Sequence, residues 1–176
     1  MCDKGLLEID PTFCKLEYCI TISRELQDKL LGGIKDLVGE EVVFETPLPG
    51  NTPQENYSEN GIDIILKNKV KSKSGKFEYD VHVCRFYLKE LPGCCGILVS
   101  YNMIVFNQFR NKGIASFLQV IKEDIAKENR FSTLMCTTIK TNELENSLLE
   151  KTGWSRINMF NNARTSHDVI IWTKNI

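Results

Sequence analysis

The sequence predicts an α/β protein built on a single mixed β-sheet of about six to seven strands, with a central antiparallel meander and helices on both faces. Three observations point there. Between residues 62 and 106 three apolar, β-branched runs follow one another with only short turns between them, as in a meander. The chain then alternates helix, strand and helix before closing on two more strands, and a strand–helix–strand crossover adds parallel pairing to the same sheet. The 176 residues suit one domain, 1–176.

Each element has its own signal. "KLEYCITIS" (15–23) reads as a strand. Over 24–38, Leu26, Leu30, Ile34 and Leu37 fall at helical spacing. Gly32-Gly33 weakens the middle of that helix. Val42 to Phe44 fit a short strand. Residues 45–61 carry three prolines and two glycines among Asn and Glu, which reads as a long loop or a frayed helix. Residues 62–73 and 77–88 form a hairpin around Ser74-Gly75, and "ELPGCC" turns the chain into a strand at 96–106. A helix from about 111 to 128 puts Ile114, Phe117, Leu118, Ile121 and Ile125 on one stripe. Residues 132–139 are an apolar strand. Residues 142–153 form a capped helix, with Asn142 at the N-cap, Glu145 three residues on and Gly153 closing it. Residues 154–160 and 168–173 make a last hairpin around Asn161-Asn162.

Composition excludes several classes of function. Hydrophobic content is 42% and charged content 26%, which gives material for one sizeable core. The net charge of −1 rules out a whole-protein positive field that would draw in nucleic acid or an anionic membrane. Seven cysteines, an odd count with no C-x-x-C pair, argue against a disulfide framework and a zinc site, so no metal is expected. Cys84, Cys94, Cys95 and Cys136 read as small core residues rather than nucleophiles. No cationic leader opens the sequence and no apolar run reaches the ~18 residues of a membrane span. A cytoplasmic setting with free thiols and no membrane partner is therefore expected, with the sequon Asn56-Tyr57-Ser58 idle.

One stretch carries chemistry: "VFNQFRNKGIASFLQ", residues 105–119. A strand hands over to a helix through Arg110-Asn111-Lys112-Gly113-Ile114-Ala115. A helix N-terminus leaves N–H groups unpaired and partly positive, and an anion satisfies both conditions. Gly113 has no Cβ to hold a ligand off, Ala115 is small, and Arg110 and Lys112 add charge. The arrangement suits a pyrophosphate. The plainer alternative is a solvated helix start whose glycine only packs on the strand.

The same residues resemble the acyl-CoA-binding signature of the GNAT superfamily of N-acetyltransferases, V-x-P-x-[YF]-R-x-[KR]-G-[IVL]-[GA]. Val105, Phe109, Arg110, Lys112, Gly113, Ile114 and Ala115 match it, and Asn107 stands where proline is usual. A second family pattern, N-x-x-A-x-x-L-Y-x-K-x-G-F, resembles "NELENSLLEKTGW" through Asn142, Leu148, Lys151, Gly153 and Trp154. The resemblance covers roughly residues 60 to 174. It implies a GNAT-like sheet, a variable N-terminal part over 1–60 and a CoA-binding core over 61–176. It further implies acetyl-CoA as co-substrate and an amine acceptor, attacked directly in a ternary complex. A bulge in the fourth strand would splay it from the fifth. The backbone of Met103 and Val105 would hold the pantetheine, and the N–H groups from Arg110 to Ala115, with Asn111, Lys112 and Ile114 between, would cradle the pyrophosphate. Asn142 would support the cofactor from the next helix. The protein would act as a monomer or homodimer.

The resemblance breaks at two positions that often move protons. The acidic residue expected four places before Val105 is Tyr101, and the tyrosine expected on the later helix is Leu149. Three readings stay open. Tyr101 supplies the missing group, or His82 is the base, or solvent takes the proton. For each side chain the plain alternative is packing or exposure. A catalytically impaired binding module of the same fold also remains open. Finally, Lys67, Lys69, Lys71 and Lys73 recur at every second residue. They form either a stripe for nucleic acid or an acidic partner, or an edge guarded against aggregation. The first would make nucleic acid, or a protein that binds it, the acceptor. The 45–61 loop is expected to border the acceptor.

Overall fold

A computed structural model describes residues 20–45, 61–71 and 78–176 of the chain. Helix α1 (Arg24–Val38) starts where the Ser23 hydroxyl accepts from the Leu26 N–H, and it stops at Gly39, left-handed with φ 81°. It is followed by β1 (Val42–Phe44), β2 (Gly61–Lys71), β3 (Glu78–Glu90) and β4 (Ile97–Val105). A single 3-10 turn (Asn107–Phe109) leads to α2 (Ile114–Glu128), then β5 (Thr133–Ile139), α3 (Glu143–Lys151), β6 (Ser155–Asn162) and β7 (His167–Asn175).

The seven described strands form one sheet in the order β1-β2-β3-β4-β5-β7-β6. Every neighbouring pair is antiparallel except β4–β5, which is parallel and is bridged by α2. The expected meander and crossover are both present.

Side chains alternate across the strands, and only one face is continuously apolar. Ile62, Ile64, Leu66, Phe86, Leu88, Leu98, Leu134 and Trp172 are buried there. Each such side chain stabilises the fold by roughly 1.5–3 kcal/mol relative to exposure. The helices converge on this face. Leu26, Leu30 and Ile34 of α1 and Ile114, Leu118, Ile121 and Ile125 of α2 join the same core. Lys174 of β7 donates to Glu123 on α2 at 2.6 Å and to the Thr152 carbonyl behind α3 at 2.6 Å. Thr138 of β5 reaches Asn146 of α3. Among the described residues all three helices therefore lie on one face, where the sequence predicts helices on both. The opposite face carries Asp63, Lys67, Arg85, Tyr101 and Thr137, which gives an apolar helix stripe little to cover.

Gly32-Gly33 proves more than a weak point. A Cβ at Gly33 would lie 2.1 Å from Cζ of Phe117, so the missing side chain is what lets α1 and α2 approach. Two expectations are corrected. Residues 20–23 are not a strand: the N–H of Thr21 is taken by Asn129 Oδ1 at 2.8 Å and that of Ser23 by Glu128 Oε1 at 2.7 Å, so the end of α2 replaces a strand partner. Ile20 and Ile22 are nevertheless buried. The last hairpin turns at 163–166 rather than at Asn161-Asn162, which pair with Asp168 and His167. The Asn162 side chain caps the turn by accepting from the Arg164 N–H at 3.0 Å. The strand expected at 15–19, the stretch 46–60, the Ser74-Gly75 turn and Lys73 lie outside the described residues.

Candidate functional site

Strands β4 and β5 share ladder positions only at Ile97–Val99 against Thr133–Met135. Beyond them β4 runs on to Val105 and β5 to Ile139 without pairing, which leaves a wedge between the strands. A bulge accompanies the splay. Tyr101 pairs with Tyr87 and Ile104 with Arg85, so Asn102 and Met103 together face Phe86 alone. Asn102 takes up the extra length at φ 49°. Such a bulge bends its strand and raises the twist. The Phe106 N–H donates to the Val83 carbonyl at 3.0 Å, so residue 106 addresses β3. Alternation then turns the backbone groups of Val105 and Met103 toward the wedge, an open strand edge.

At the mouth of the wedge the chain enters α2 through a loop with alternating backbone hand. Asn111 has φ 62° and Gly113 φ 83°. No described residue accepts a hydrogen bond from the N–H groups of Asn111 through Ser116. Successive free N–H groups in such turns form an anion-binding concavity, and the α2 N-terminus adds its dipole. The cations that mark this loop in the sequence serve to tie it down. Arg110 Nε donates to the Val105 carbonyl at 2.9 Å, and Lys112 Nζ to the Val38 carbonyl at 3.3 Å. At Gly113 a Cβ would meet only Leu37 Cδ2, at an ordinary 3.7 Å, so it is the positive φ that requires glycine.

The helix-free face presents Tyr101, 39% exposed, beside the bulge. Its ring lies 5.9 Å from that of Tyr87. The Tyr87 phenol sits over Gly61, where a Cβ would be 2.0 Å from its oxygen. An Asp63–Arg85 ion pair flanks the two rings. His82 stands apart. It is five residues along β3 from Tyr87, the partner of Tyr101, or about 15 Å away. It lies against Phe106 at 5.3 Å, with Nε2 3.6 Å from Glu45 Oε2. The structure thus does not bring His82 and Tyr101 together. Lys67, the first lysine of the stripe, pairs with Glu45 at 2.8 Å and Asp80 at 3.3 Å, and Lys67 holds the Glu45 carboxyl below the usual carboxylate range. Lys69 faces Asp80 across the ladder, and Lys71 pairs with Glu78. Acidic neighbours therefore offset the charge of Lys67.

On the helix face the wedge is closed by a polar group that the sequence reading missed. Gln119 and Lys122 of α2 are 1% and 2% exposed. Both donate to the Met103 sulfur, at 3.6 and 3.2 Å. The only signal in the sequence was two polar residues three apart inside an apolar helical stripe. Burial holds the Lys122 ammonium down, to about 8, against weaker opposing effects of Cys136 and Glu145. Burial likewise pushes the Cys84 and Cys136 thiols up to about 12, as inert core residues require. Cys94 and Cys95, also expected in the core, are exposed because the "PGCC" stretch forms the β3–β4 turn. Asn142 caps α3: its oxygen accepts from the Glu145 N–H at 3.4 Å and its amide donates back to the Glu145 carboxylate at 2.7 Å. Leu149 is 1% exposed and part of the core.

No protein-family model matches the sequence, and no curated protein matches it. Solved structures do match the fold. An IAA acetyltransferase from Bacillus cereus superposes over 77% of this chain and 100% of its own, with TM-score 0.58 and 18% identity. The ribosomal-protein-S18-alanine N-acetyltransferase of Escherichia coli matches over 68% of this chain and 72% of its own, with TM-score 0.51 and 15% identity. The microcin C7 self-immunity acetyltransferase, solved with acetyl-CoA and AMP, matches over 67% and 62%, with TM-score 0.53 and 15% identity. The chain has the fold of the GNAT N-acetyltransferases.

Proposed function

We propose that the protein is an N-acyltransferase that moves an acetyl group from acetyl-CoA to an amine by direct attack. One observation carries the reading: the splayed β4–β5 wedge opens onto a loop and helix start whose six consecutive N–H groups, Asn111 to Ser116, have no acceptor among the described residues. A long thin ligand with a diphosphate at one end fits that sequence of features. The diphosphate would rest on Arg110 to Ala115, contributing charge to a site that supplies N–H donors. The pantetheine arm would add itself to β4 as a strand partner of Met103 and Val105. An N–H freed by the bulge would polarise the thioester carbonyl. The amine would approach from the helix-free face, beside Tyr101, so catalysis rests on positioning and proton removal.

Tyr101 is the candidate for proton handling because it borders the bulge. His82, about 15 Å off along β3, is assigned to the rim of the site instead. Asn142 would act through α3, whose N-terminus it fixes next to the wedge. Isothermal titration with acetyl-CoA tests the reading, and no binding at near-millimolar ligand would sink it. A second reading, a binding module without turnover, is favoured by buried Leu149, which has no proton to give. Release of free CoA with any amine in a broad panel dismisses it.

A further inference from the structure

We infer that Lys122 is the group that stabilises and protonates the donor's sulfur as the thioester breaks. The inference rests on the reading of the wedge as an acetyl-CoA site. Lys122 is 2% exposed, yet no carboxylate among the described residues lies within ion-pair distance of it. An ammonium carries three donors. Its one acceptor among the described residues is the Met103 thioether at 3.2 Å, a weak one, and the Phe86 ring 5.7 Å away adds only a cation–π contact. A buried charge so poorly satisfied is expensive unless something else answers it.

Its position says what that would be. Met103 belongs to the bulged, unpaired part of β4, and Cys136 is the first residue of β5 beyond the pairing. Lys122 therefore faces the point where the two strands part, and it does so from the helix side. Tyr101 lies on the opposite face of the same bulge. Gln119, one turn earlier on α2, donates to the same sulfur, and its buried Oε1 has no partner among the described residues. The groups that bear on Lys122 are Cys136 from β5 and Glu145 from α3. Neither pairs with it among the described residues: burial keeps the Cys136 thiol protonated, and the Glu145 carboxyl, pushed up by burial, favours the ammonium only from beyond ion-pair distance.

The amine nitrogen forms a bond to the acetyl carbon, the C–S bond breaks, and its electron pair stays on sulfur. Lys122 gives that thiolate a proton and becomes neutral. The new amide nitrogen gives its extra proton to solvent, and Lys122 regains one from solvent, so no net proton is gained or lost by the protein. Burial has already brought the lysine close to the acidity of an ordinary thiol.

The test needs no acceptor. CoA and desulfo-CoA are titrated into wild type and Lys122→Met, and the ultraviolet absorbance of the bound thiolate is followed against pH. In wild type the bound CoA thiol should ionise about one pH unit or more below its value in Lys122→Met, a tenfold change in acidity. Desulfo-CoA should bind both proteins within about twofold, since it offers nothing for the ammonium to stabilise. Lys122→Gln, which keeps a polar head, should behave like Lys122→Met and guards against a variant that fails to fold. Identical thiol titration in wild type and either folded variant overturns the inference while leaving the donor site intact. Absence of CoA binding by the wild type overturns the donor-site reading and this inference with it.

Discussion

The mouth and the floor of the wedge are built from different materials. At the mouth, the loop from Arg110 to Ala115 offers backbone N–H groups held by two positive-φ residues, and its charged side chains point back into the structure. At the floor, side chains from β4, α2, β5 and α3 meet: Met103, Gln119, Lys122, Cys136 and Glu145. A site made of backbone depends on one contiguous stretch of chain. A site made of side chains depends on where four elements are carried by the fold. The two should therefore fail differently when altered.

The largest effect is expected at the floor, and it is a gain in stability. The Lys122 ammonium has a folded pKa near 8, below its ordinary 10.5, so between those values the unfolded chain binds more protons than the folded one. Stability then rises with pH across that window, and the full penalty, roughly 3 kcal/mol, applies below it. Lys122→Met removes the penalty. Its melting temperature near neutral pH should exceed that of wild type by ~6–12 °C. The difference between the two proteins should shrink as pH rises from about 8 toward 10.5. Thermal unfolding across that range checks both statements, and a variant less stable than wild type at neutral pH would show that Lys122 is satisfied by a partner.

Next comes Tyr101→Phe on the open face. If the phenol handles the proton, turnover of acetyl-CoA should fall by roughly 10²-fold, the lower range for a positioned acid or base. CoA affinity should stay unchanged, because no part of the N–H loop is touched. Steady-state rates beside a titration separate the two. Equal loss in both would place the tyrosine in donor binding.

At the mouth, Gly113→Val should weaken CoA binding more than tenfold, above roughly 1.4 kcal/mol. The cause is conformational: φ 83° is strained for a β-branched residue, while the space around the position is open. Melting temperature must be followed alongside. A well-folded variant with normal affinity would reduce the loop to a plain turn.

This contrast also explains how much was legible in the sequence. The helix stripes, the meander and the capping of α3 are local patterns, and residues 24–38 and 42–44 fall where periodicity puts them. The loop was legible for the same reason, since Gly113 and its neighbours are contiguous. What Arg110 and Lys112 do was not, because their acceptors on Val105 and Val38 are set by tertiary placement. The Lys122 group needed the bulge at Asn102 and Met103, which no residue type announces. The placement of all described helices on one face was likewise hidden, because it depends on how burial sums over strands far apart in sequence. Gly33 shows the error in the other direction: a local rule read it as a weak helix former, while its neighbour Phe117, some eighty residues on, requires it.

The smallest effect is expected for Arg110→Ala, and it decides whether the mouth is truly a backbone site. The guanidinium Nε is bonded to the Val105 carbonyl, five residues back, and so closes the loop against the end of β4. Removing it deletes one hydrogen bond on an exposed side chain, about 1 kcal/mol, and leaves the N–H groups of Asn111 through Ser116 in place. It also frees a carbonyl that faces the wedge, which a pantetheine amide could then use. The two consequences oppose each other, so CoA affinity should fall by no more than about fivefold. Some salt dependence should be lost with the charge. Titration of CoA at low and high ionic strength measures both. A loss larger than that of Gly113→Val would reverse the assignment: the side chain would hold the anion, and the free N–H groups would be incidental to a helix start.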